Sequence, residues 1–414
     1  MRSRIPISKT MLSRLLVGAV ILLSTIVCDI LPPSAGLPSE EPPIPATDAP
    51  GASWLPDGTI ALYLVGPRDA RRLHAVAADR STTDLGEVLY DRPEISRTGR
   101  WVASTGAPSP SATVRAVNLE TGDTIIAPLT PDFSLNGLAF DYAETRMAYV
   151  ELGQFTAESY DWAVVVVNLT DGSTVRHEMT MSLGSDPELL PGKPVGWSNP
   201  GNELLLDTFL PGTEGSWRGV WAVTILPGVG SGFLETLSRR EVIPYGDYLL
   251  SPRLSPDGSQ LAYLNRDFTY TPDNYEVIAY DLAVNELWTV SSDGTARQRL
   301  INVIDGGALG SDALSWSPDG TQILFAQGTF AGSQAFASLT LKVRDSGGAL
   351  RDVGPAPIPA GGWLMGVDWC TPDLALATVA VPGTGQELHI VDMTSGATSL
   401  VDSADRVQVL GCIP

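Results

Sequence analysis

The chain of 414 residues contains only three histidines and three cysteines, aromatic side chains make up 7% of it, and Lys and Arg (26) are far outnumbered by Asp and Glu (47). A zinc or iron centre normally needs clustered His, Cys or carboxylate ligands. No such spacing occurs, and His74, His177 and His389 lie far apart in sequence. There is no G-x-S-x-G nucleophile elbow and no glycine-rich phosphate loop leading from a strand into a helix. The sequence therefore points to no catalytic set, no metal and no cofactor. Net charge is −21, and Arg2, Arg4, Lys9 and Arg14, the four charges before residue 28, are all positive, which leaves −25 on the rest. A body of that charge repels phosphate backbones and anionic lipid, so nucleic acid is not an expected partner.

Long apolar runs are also scarce. The clearest is LLVGAVILLSTIVC at residues 15–28. About 14 residues is short for a spanning helix and typical of a signal-peptide core. Residues 1–31 are thus expected to be a signal peptide or an N-terminal membrane anchor. Cys28 resembles the lipidated cysteine of bacterial lipoproteins, although Val27 stands where that pattern wants a small residue. Lipoprotein, uncleaved anchor and soluble secreted form all remain open; each places the body outside the cytoplasm, and any membrane contact is through the N-terminus alone. Residues 32–51 hold seven prolines. Such a segment stays extended and reads as a linker.

From residue 52 to residue 414 one phrase recurs: a short strand, a turn usually spelled Ser-Pro-Asp-Gly, and a strand of alternating apolar residues. Clear copies are SWLPDGTIALYL from Ser53, RLSPDGSQLAYL from Arg253 and SWSPDGTQILFA from Ser315. Looser copies start at Glu94, Ala139, Gly196 and Asp368, making seven. Proline presets the first turn position, aspartate bonds back to nearby backbone, and glycine accepts a positive φ. This reading makes Asp57, Asp257 and Asp319 turn formers rather than calcium ligands. Most copies carry a second hairpin signal, such as VNLETGDTIIA from Val117, so each unit supplies about four strands, one propeller blade. The apolar residue before the turn (Trp54, Ile95, Phe140, Trp197, Leu254, Trp316, Trp369) recurs every 41 to 62 residues, and its tryptophans are expected to pack between blades.

The phrase W-S-P-D-G followed by an apolar strand resembles the TolB-type, WD40-like (PD40) propeller repeat, over residues 52–414. The resemblance implies an all-β, seven-bladed β-propeller of four-stranded antiparallel blades. TolB proteins carry an α/β domain before the propeller. Nothing here corresponds to it, so the fold is implied without the role. Related propeller lyases use a histidine-built metal centre, and related prolyl peptidases add a hydrolase domain, neither of which this sequence supplies.

The segment RVQVLGCIP from Arg406 aligns with WLMGVDWCTP from Trp363, Cys412 falling where Cys370 falls. It reads as an extra innermost strand that completes blade one. Equivalent positions on neighbouring inner strands lie near the limit of disulfide reach, about 7 Å between Cα atoms, so Cys370 and Cys412 form either a disulfide or two buried thiols.

Loops of blades three to six carry Phe155, Tyr160, Trp217, Phe268, Tyr270, Tyr275 and Phe330. Aromatic side chains give rigid contact area at small entropic cost, which makes these seven the candidate binding surface. The leading expectation is a non-enzymatic, exported binding or scaffold protein that presents one propeller face to a protein or peptide. The alternative is a carbohydrate-binding protein or enzyme acting at acidic residues around the central channel.

Overall fold

The computed structural model describes residues 55–67, 71–90, 92–105, 113–155, 159–182, 191–199, 203–209, 218–225, 239–247, 249–265, 284–303, 307–330 and 336–413. They form 28 strands in seven four-stranded antiparallel sheets, and no helix occurs among the described residues. Six blades are consecutive in sequence: β4–β7 (94–128), β8–β11 (134–182), β12–β15 (192–247), β16–β19 (250–302), β20–β23 (307–355) and β24–β27 (363–404). Blade one has the order β28-β1-β2-β3: the chain opens it with β1 (Thr59–Val65), β2 (Arg71–Ala77) and β3 (Thr82–Leu89) and supplies its fourth strand only at the end, with β28 (Val407–Cys412).

The recurring turns are built as their composition requires. Asp319 accepts hydrogen bonds from Ser317 Oγ (2.6 Å), Thr321 Oγ1 (2.9 Å) and the Thr321 amide (3.0 Å), which hold its carboxyl below the usual range. Asp257 makes the same set with Ser255 and Ser259, and Gly320 takes a φ of 70° that a side chain would strain. Replacing Asp319→Ala removes the acceptor of all three bonds and should cost about 1–2 kcal/mol in urea unfolding. A loss below a few tenths would show that the turn forms without it.

Each pair of neighbouring blades encloses its own apolar cluster, seven clusters in all. Tryptophans of the repeat reach across these seams as expected. Trp197 Nε1 donates to the Ala139 carbonyl at 3.3 Å, and Trp316 Nε1 to the Arg253 carbonyl at 3.0 Å. Both acceptors hold the same place in the preceding blade, the residue just before its own apolar residue. The indole thus fixes one specific backbone position of its neighbour.

The seam between blades seven and one is packed like the others, with Tyr63, Leu376, Ile390 and Val407 buried in it. β28 pairs with β1 from Val65↔Val407 to Ala61↔Cys412. Cys370 on β24 (Trp363–Thr371) and Cys412 are joined by a disulfide across this seam, their Cα atoms 4.8 Å apart.

The aromatic segments differ from expectation. β9 (Arg146–Phe155) and β10 (Ser159–Asn168) stay paired out to Phe155↔Tyr160, and β21 (Gln322–Phe330) and β22 (Phe336–Asp345) out to Phe330↔Phe336. Part of what reads as loop in blades three and six is hairpin arm, because the backbone ladder continues past Gly153 and Gly328.

Candidate functional site

The innermost strands are β28, β4 (Glu94–Ile95), β8 (Ser134–Phe140), β12 (Gly192–Trp197), β16 (Leu250–Leu254), β20 (Gly307–Trp316) and β24. All except the two-residue β4 carry a register shift against the second strand of their blade. A bulge bends the strand, leaves the extra residue unpaired and re-aims its side chain. In β24 the shift falls between Leu364 and Gly366, and the extra residue, Met365, turns into the central channel. In β28 the extra residue is Leu410, which borders the cavity and packs against the apolar cluster between blades one and two.

The channel holds a cavity of about 570 Å³ bounded by inner strands of blades one, two, three, four, five and seven. Five cations line it, Arg71, Arg92, Lys193, Arg253 and Arg406, against two carboxylates, Glu94 and Asp368. Among the described residues, the acidic lining anticipated as an alternative is this pair. Glu94, Arg253 and Asp368 share one repeat position, the residue before Ile95, Leu254 and Trp369, so three blades contribute them to one tier. Lys193 and Arg253 are exposed into the lumen. Arg71 is buried, bonded to Gln408 of β28 and to the Tyr90 carbonyl at 3.3 Å. Arg92 donates to Asn136 Oδ1 at 3.3 Å, and the Asn136 amide nitrogen, buried beside it, has no protein acceptor.

Burial pushes the Glu94 carboxyl up to about 7, with Lys193 and then Arg253 pulling the other way. Asp368 is likewise raised by burial against the pull of Arg253. At neutral pH the channel therefore carries more positive charge than a count of its side chains suggests, inside an acidic body.

Toward the start of β24, Trp363 and Met365 are 57% and 38% exposed, and the indole Nε1 donates to Met365 Sδ at 2.8 Å. With its one donor turned to sulfur, the pair forms an apolar shelf at the channel edge.

Among the residues proposed from sequence, Trp217, Phe268, Tyr270, Tyr275 and Cys28 lie outside the described residues, as do the side chains of Phe155, Tyr160 and Phe330. The three histidines fall on β2, β11 (Thr174–Ser182) and β26 (Gly385–Asp392), and none lines the cavity. No group of three His, Cys, Asp or Glu side chains among the described residues is placed to hold a metal ion. Sequence reasoning missed Arg92, Lys193, Arg253, Arg406, Glu94 and Asp368 as a set. Reading the residue before the apolar position down all the repeats would have brought Glu94, Arg253 and Asp368 together.

No protein-family model and no curated protein matches the sequence. Among solved structures, an oligogalacturonate lyase in complex with manganese superposes with a TM-score of 0.53 at 13% identity, over 83% of this chain and 84% of that one. A puromycin hydrolase mutant gives 0.52 at 16% identity, over 88% of this chain and 56% of that one. TolB from Acinetobacter baumannii gives 0.44 at 12% identity over 72% of this chain, which spans 64% of TolB. At these identities the likeness to the lyase and the hydrolase shows the propeller fold and nothing further.

Proposed function

We propose that this protein is an exported, non-enzymatic recognition module whose ligand, an anionic segment of a protein or peptide, enters the central channel rather than resting on the loop rim. The observation that carries this is charge of one sign gathered against the trend of the whole molecule: five cations line the cavity of a chain with net charge −21. Low-dielectric walls focus that field toward the mouth and speed capture of anions while the body repels them elsewhere. The Trp363–Met365 shelf supports a peptide over a sugar, because it offers ring face and thioether to an apolar side chain and no unused donor to hydroxyl groups.

The test is fluorescence anisotropy with labelled oligoglutamate, oligolysine and a neutral Gly-Ser peptide. Oligoglutamate alone should bind, more weakly as salt rises. Arg253→Gln and Lys193→Gln should each weaken it about tenfold, the scale of one charge-assisted contact. Equal binding of oligolysine, or none of oligoglutamate, would overturn the reading.

The raised carboxyl of Glu94 favours a second reading, acid–base chemistry on an anionic sugar, since a carboxyl near neutrality can give and take a proton; Asp368, also raised by burial, lines the same cavity. Turnover of an oligouronide by the wild type, lost in Glu94→Gln, would establish it.

A further inference from the structure

Glu94 shares the channel with an anion site yet is itself an acid, which makes a proton the natural second ligand. We propose that the channel binds its anion together with a proton taken up by Glu94, so that it loads in mildly acidic surroundings and releases as they become alkaline. This rests on the anion-binding reading of the channel and adds to it a coupling.

The geometry supplies the coupling. Glu94 on β4, Lys193 on β12, Arg253 on β16 and Asp368 on β24 line one cavity, within electrostatic reach: Lys193 and Arg253 both act on Glu94, and Arg253 also acts on Asp368. Arg71, Arg92 and Arg406 complete the charged lining. When Glu94 is ionised it occupies part of the attraction of Lys193 and Arg253 and repels an incoming carboxylate. When it is protonated both cations are released to the ligand, and the carboxyl O–H can donate to a ligand oxygen. An anion in the channel in turn makes it harder to ionise Glu94. Each ligand therefore strengthens the other by the same factor, as linkage requires.

No histidine lines the cavity, and the side chains of an acidic peptide are ionised above pH 6. The transition lies in the right window because burial has moved Glu94 to about 7. If a bound anion raises it by one further unit, affinity should be about eightfold tighter at pH 6 than at pH 9, with about half a proton taken up at pH 7.5.

The experiment measures oligoglutamate affinity by anisotropy from pH 6 to 9, and proton uptake by calorimetry in two buffers of different ionisation enthalpy. Glu94→Gln should bind with an affinity flat to within about twofold and take up no proton. Glu94→Asp, which keeps a carboxyl, should retain the slope, and Asp368→Asn should retain most of it. A wild-type affinity that is flat with pH, or a slope that survives Glu94→Gln or vanishes only in Asp368→Asn, would overturn the coupling while leaving anion binding intact. Absence of binding at every pH would remove both.

Discussion

Deleting residues 406–414 should lower the melting temperature by about 10 °C or more, the largest effect expected of any change of similar size in this protein. Three losses combine. The disulfide between Cys370 and Cys412 closes a segment of 42 residues, worth about 4 kcal/mol in the chain-entropy view. Val407 is buried, and Val409, Leu410 and Ile413 are packed at the two seams beside blade one; removing such groups costs about 1–3 kcal/mol each. β1 also becomes an open edge, and Arg71 loses its Gln408 partner. Differential scanning calorimetry of the truncated and intact proteins decides the matter, with Cys412→Ser as the intermediate case that removes the disulfide and keeps the strand. A truncated protein melting within 3 °C of the intact one would show that the ring holds without its clasp.

The second large effect concerns pH. The Glu94 carboxyl has an ordinary value of 4.5 and rises to about 7 in the folded protein, with burial as the leading cause. The folded state therefore holds its proton more tightly than the unfolded chain does. The contribution of this group to stability is fully present below pH 4.5, falls as pH rises toward 7, and is absent above it. Glu94→Gln, which cannot ionise, should match the wild type near pH 4.5 and exceed it by about 2 kcal/mol at pH 8, after allowance for the solvent that reaches the channel. Chemical denaturation at the two pH values checks this. A variant less stable than the wild type at pH 8 would mean that ionised Glu94 is held favourably by Lys193 and Arg253, and that burial is not what sets its proton affinity.

The parts of the fold legible in the sequence are those governed by short-range chemistry. Pro-Asp-Gly at residues 256–258 and 318–320 fixes a hairpin through its own backbone preferences, and the recurring tryptophan marks the seam it fills. The similarity of RVQVLGCIP to the inner strand of blade seven made ring closure readable, because a strand without its own turn has to borrow a sheet. The channel was not legible for a different reason. Glu94, Arg253 and Asp368 stand in repeats far apart in sequence, and each alone looks like an ordinary surface charge beside an apolar residue. Whether Met365 faces the lumen depends on a bulge that no residue type announces, since Leu364 and Gly366 would suit regular pairing equally well. Aromatic residues drew attention to the hairpins of blades three and six, yet Phe155 and Phe330 end strands there, because the backbone ladders run on into the segments read as loops.

The clasp has a temporal consequence. Arg71 and Gln408 are bonded although they are 337 positions apart in the chain, so blade one cannot be completed until β28 has emerged. Contacts of such range are costly to form early and make the last step of folding slow. A chain threaded N-terminus first through a membrane would therefore remain an open arc, its seams between blades two and seven forming in order, and become a closed ring only when β28 arrives on the far side.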